Sequence, residues 1–110
     1  MVVTMSVNPI CGHKNLVTAI SNVKKTHIHI ETNCGKLQEW GCDFDLVNVE
    51  MSSQNIPFYE LLVKSMKHSI CENCYIPPTV MNTYWVETEK VSKALAAKRA
   101  QISIITESIE

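Results

Sequence analysis

The residues best able to do chemistry are the five cysteines (Cys11, Cys34, Cys42, Cys71 and Cys74) and the four histidines (His13, His27, His29 and His68). Cys71 and Cys74 form a Cys-x-x-Cys in the stretch "ICENCYIPP", directly before Pro77-Pro78. That spacing puts two sulfurs on one tight turn, where they can share a metal, oxidise to a disulfide or simply fill space. Five is an odd number, which sits badly with a fully paired disulfide framework. Two thiols are half of a tetrahedral zinc or iron–sulfur ligand set, so the fold has to bring in two more.

The elements that must position them divide in two. The N-terminal third reads as strands: Val2 to Val7, Leu16 to Ser21, and Thr26 to Thr32, the last two flanking a hairpin loop "NVKK". "THIHIET" alternates strictly, with Ile28 and Ile30 on one face and His27, His29 and Glu31 on the other, as in a half-buried strand. The remainder reads mainly as helix. Asn33 is placed to cap a short segment interrupted by Gly41, with Leu37, Trp40 and Phe44 inward. Asn55 caps a clearer helix, with Pro57 in its first turn and Phe58, Leu61, Leu62, Ser65 and Met66 as its inward stripe. Pro77-Pro78 opens a third, with Val80, Met81, Tyr84, Val91 and Leu95 at helical spacing, and "QISIITE" closes the chain as a strand. The expected class is α+β: a small antiparallel sheet, made of an N-terminal three-stranded meander plus a C-terminal strand, covered by about three helices. A length of 110 residues makes this one domain, residues 1–110.

On that frame the cysteines converge. In a meander the first and third strands run parallel and finish at the same edge; Cys11 follows the first and Cys34 the third. Cys71 and Cys74 lie in the break between two helices that pack on the sheet. The expected metal ligands are therefore Cys11, Cys34, Cys71 and Cys74, with His68 and His13 as alternates, each being beside a cysteine. Gly12 clears space beside Cys11, and Cys34 sits near a helix N-terminus, where partial positive charge favours a thiolate. Cys42, inside the short helix, reads as a small buried hydrophobe. His27, His29 and Glu31 form a second row able to take a divalent metal, though the ordinary reading is a solvated strand face. Asp43 and Asp45, two apart, do not share a helix face. The chain carries no nucleophilic triad, phosphate loop or dinucleotide fingerprint, and Trp40, Tyr84 and Trp85 read as core.

Composition narrows the function classes. The chain is 45% apolar and 19% charged, ordinary for a soluble globular protein, and its net charge of −1 is spread along its length. That argues against a nucleic-acid or membrane-surface binder. "MVVTMSVNP" has neither a basic lead nor a sustained apolar run, and no stretch approaches the roughly 20 apolar residues of a membrane span. The expected location is cytoplasmic, where free thiols and metal thiolates prevail over structural disulfides. A protein partner and a homo-oligomer both stay open.

At these residues the chain resembles an uncharacterised family of small archaeal and anaerobic-bacterial proteins with the pattern Ile-Cys-Gly-Phe, Glu-Ser-Asp-Cys and His-x-x-Cys-Pro-Val-Pro. "ICGH" at Ile10 to His13 is similar to the first element, "ETNC" at Glu31 to Cys34 to the second. "CENCYIP" at Cys71 to Pro77 fits the third without gaps, Cys71 taking the histidine position; "HSIC" at His68 to Cys71 fits it only with three inserted residues. The resemblance implies a related fold and no activity. Under the gapless match Cys71 is the fourth ligand, and His68, about 200° round the helix from Met66, faces solvent. The leading expectation is a small protein with a thiolate-rich zinc or iron–sulfur site in a binding, electron-carrying or sensing role. The alternatives are a thiol–disulfide or sulfur-handling enzyme using Cys71 and Cys74, and a metal-free interaction module.

Overall fold

The computed structural model describes residues 2–7, 11–49, 56–90, 92–98 and 107–109. The chain is α+β. Strands β1 (Val2–Val7), β2 (Asn15–Ser21) and β3 (Lys25–Thr32) form the expected antiparallel meander, and β4 (Asp43–Val47) adds to β3, giving the order β1-β2-β3-β4. The β2–β3 turn is held by Asn22, whose Oδ1 accepts the backbone N–H of Lys24 and Lys25, each at 2.9 Å. Period-two alternation does the rest. Val17, Ala19, Ile28, Ile30 and Leu46 are buried on one face, while Thr4, His27, Asp43 and Asp45 stand on the other.

Four helices occur among the described residues: α1 (Gly35–Trp40), α2 (Ile56–Lys67), α3 (Ile76–Glu87) and α4 (Lys93–Lys98). Helix α3 lies across β1, β2 and β3, burying Ile76, Val80 and Tyr84 completely, at about 1.5–3 kcal/mol for each large apolar side chain. The Tyr84 hydroxyl donates to Val47 O at 2.9 Å, pinning α3 to the end of β4. Helix α2 covers β4 and α1; Trp40 packs edge-on to Phe44 and donates through Nε1 to Ser65 Oγ at 3.1 Å.

Several expectations are corrected. The segment after Asn33 stops being helical at Trp40, because Gly41 adopts φ +109, a backbone conformation open to glycine. Cys42 is thus outside the helix, and Phe44 lies on β4, whose alternation Asp43-Phe44-Asp45-Leu46 had been hidden by the helix-like spacing of Leu37, Trp40 and Phe44. β4 is thus a strand where a helix was expected; residues 101–106 of "QISIITE", expected as a C-terminal strand, lie with Asn55 and Val91 outside the described residues. The third helix does not run on to Leu95. It closes in a Schellman motif: Lys90 N–H donates to Trp85 O (2.9 Å) and Glu89 N–H to Val86 O (3.1 Å), with Glu89 at φ +61. Buried Glu87 secures this end, its Oε2 accepting the N–H (2.9 Å) and hydroxyl (3.1 Å) of Ser21. Its Oε1 faces Lys93 Nζ at 3.3 Å, within ion-pair distance. On α2 the buried residues are Pro57 and Leu61; Phe58, Leu62 and Met66 are exposed.

Candidate thiol site

The register fixes one end of the sheet. Val7 pairs with Asn15 and Asn15 with Thr32, so the ends of β1 and β3 share an edge with the start of β2. Asn15, only 3% exposed, organises that edge. Its Nδ2 donates to His13 O at 3.3 Å, its Oδ1 accepts from the Thr32 hydroxyl, and Thr32 Oγ1 in turn accepts the N–H of Cys34 at 3.0 Å. Asn33 does not cap α1; its Oδ1 accepts from His13 Nδ1 at 2.9 Å, and Cys34 takes the cap position. The Cys11 and Cys34 loops are thereby tied together through His13 Nδ1 and Asn33 Oδ1.

The Cys-x-x-Cys arrives from the other side. The N–H of Cys74 donates to Cys71 O at 3.0 Å, closing a β-turn over Glu72-Asn73. Ile76, with no exposed surface, anchors this turn to the core one residue before Pro77-Pro78, which occupy first-turn positions where no N–H is needed. Cys11, Cys34, Cys71 and Cys74 all line one cavity of about 40 Å³, together with His13, Lys36 and Leu37. All are free thiols; Cys11 and Cys71 are exposed, Cys34 and Cys74 half-buried. Burial pushes the Cys74 thiol up; the Ile76 amide partly offsets this, while Cys34, Cys71 and Cys11 add to the rise. Lys36 Nζ stands 3.7 Å from Cys71 Sγ.

Other expected residues are placed elsewhere. His68 is exposed beyond the end of α2 and lines no part of this cavity, whereas His13 does. Gly12 has φ +84 with nothing within 4 Å of an added Cβ, so backbone conformation rather than clearance requires glycine there. Cys42 packs against the core and its thiol is pushed up by burial. Among the described residues, no group of three or more His, Cys, Asp or Glu is arranged to hold a metal ion. The His27–His29 row is taken up by carboxylates instead. His27 meets Asp45 (2.8 Å) and Asp43 (3.2 Å), and His29 meets Asp43 (2.7 Å). Asp43 and Asp45 do share a face, because they lie on a strand. Sequence reasoning missed Asn15, Thr32 and Lys36. The first two carried a signal, polar residues at inward positions of alternating strands; Lys36 is 35 residues from its sulfur and carried none.

Among the described residues no helix is long and apolar enough to cross a membrane. Residues 3–99 match a family of unknown function (DUF6951). No curated protein and no solved structure matches the chain.

Proposed function

The chain belongs to this family of unknown function, and we propose that it works through a thiolate-rich metal site at the sheet end, with Cys11, Cys34, Cys71 and Cys74 holding zinc or an iron–sulfur cluster. The observation carrying this reading is the shared cavity, supplied by three separate chain segments and lined by four soft donors without a carboxylate. The sulfurs are not gathered into a cage, so binding includes closure of the exposed Cys11 and Cys71 loops around the ion, with ordering coupled to ligation. Four protein ligands leave no open position, which suits a structural, electron-carrying or sensing role in a reducing compartment such as the cytoplasm. The gapless resemblance agrees: Cys71 replaces a histidine, an exchange that keeps ligating ability. His13, oriented by Asn33, is the substitute donor at the cavity.

Chelation under reducing conditions tests this. A structural metal adds its binding free energy to folding, so its removal lowers the melting temperature. One observation favours a second reading, a dithiol. Cys71 is exposed with Lys36 beside it, Cys74 is half-buried, and the turn joins them. Cys71 would attack a substrate disulfide and Cys74 resolve the mixed disulfide, two electrons passing to the substrate. Melting that ignores the chelator, with a reversible Cys71–Cys74 disulfide, replaces the metal reading with this one.

A further inference from the structure

Behind the Cys71–Cys74 turn opens a second and much larger space, an apolar groove of about 940 Å³ between α2 and α3. That volume lies within the roughly 300–1,000 Å³ of small-molecule sites. One wall is Pro57, Leu61 and Leu62 of α2; the other follows α3 through Pro77, Met81 and Trp85. Helix α3, twelve residues at 1.5 Å each, is about 18 Å long, and the groove follows it from Pro77 to Trp85.

Its two ends differ in charge. Glu72, with Cys71 and Cys74, lines the end before α3; Lys90 lines the end after it. Among the described residues no other charged side chain lines the groove. The Lys90 ammonium lies 4.9 Å from the Tyr84 ring centroid and donates to Thr88 Oγ1 at 3.1 Å, and among the described residues no carboxylate is within ion-pair distance. Burial depresses its pKa. A single lysine, the one cation among the described lining residues, matches a monoanion better than a phosphate.

We propose that this groove binds a long unbranched aliphatic carboxylate, the carboxylate on Lys90 and the tail running along α3 towards Cys74. Glu72 repels the acid from the thiol end and so sets the direction. The apolar stripe Phe58 and Leu62, left exposed on α2, is the wall the tail covers. The proposal is independent of whether the thiols hold metal.

Calorimetric titration of the reduced full chain with tetradecanoate, tetradecan-1-ol and tetradecylamine tests it. Tetradecanoate binds one per chain and more tightly than the other two. Lys90→Gln weakens it by about tenfold or more, the worth of a hydrogen bond to a charged group, and leaves the alcohol unchanged. Leu62→Asp, at an exposed position, keeps the circular dichroism of the fold but abolishes binding of all chains. The proposal is overturned by no tetradecanoate binding, or by acid and alcohol binding equally with Lys90→Gln silent. A dimer that Leu62→Asp dissociates, with no tetradecanoate bound, would give the groove to a second copy of the chain.

Discussion

At the end of the sheet where β1 and β3 finish, four thiols from three chain segments face one cavity; on the open face of the same sheet, His27 and His29 face Asp43 and Asp45. Both regions concentrate groups able to bind metal. They differ in what those groups already do. On the open face the ring nitrogens of His27 are both engaged by carboxylates, a local result of cross-strand register. At the thiol end the polar network of Asn15, Thr32, Asn33 and His13 holds the loops, and the sulfurs are left to one another and to Lys36. The lesson is that a cluster of ligating residues signals function when its donors lack internal partners, and surface structure when they are satisfied.

Substitutions can break that contrast. The largest effect is expected for Cys71→Ala, which opens the proposed four-ligand site and costs more than a hundredfold in zinc affinity by competition titration, against little change for His68→Ala or His27→Gln. A greater loss with His68→Ala would show the inserted alignment to be correct. Ile76→Ala, beneath the turn, lowers stability by about 2–5 kcal/mol in denaturant melts. Asn15→Ala leaves the Thr32 and His13 ends of its network unpaired at about 1–3 kcal/mol.

Smaller effects sharpen it. Glu89→Gly should raise stability by roughly 0.5–1 kcal/mol, since a non-glycine residue now holds the left-handed position ending α3. On the open face the effect is pH-dependent. Hydrogen bonding to Asp45 raises His27, against an opposing desolvation and with further support from Asp43, so its contribution is complete below its ordinary value of 6.5 and fades as pH rises through the higher folded value. Asp43 is lowered, chiefly by its hydrogen bonds to His29 and His27, so its part is complete above 3.8 and is lost as pH falls through the depressed value. Both are fully present between 3.8 and 6.5. His27→Gln should therefore lower the melting temperature by roughly 1 °C near pH 5.5 and by less near pH 8.5, as exposed pairs contribute little. An equal drop at both values would mean the pairing carries no charge.

Much of this arrangement was legible in the sequence. The alternation of "THIHIET" and the meander it implies place Cys11 and Cys34 at one edge without any knowledge of contacts. What stayed hidden has physical causes. Leu37, Trp40 and Phe44 keep helical spacing across a glycine whose positive φ ends the helix, so β4 and its paired aspartates were concealed. Phe58 and Leu62 looked like a core stripe because an apolar groove wall and a core face have the same periodicity. Lys36 reaches Cys71 only through the tertiary fold.

The central claim is tested most directly by elemental analysis, with an ultraviolet–visible spectrum, of protein purified without oxygen. A thiolate site predicts stoichiometric zinc, or iron with sulfide and charge-transfer absorption, lost in Cys71→Ala and retained in His27→Gln. Protein free of zinc and iron, with a featureless spectrum and thiols that do not bind added zinc, would contradict it.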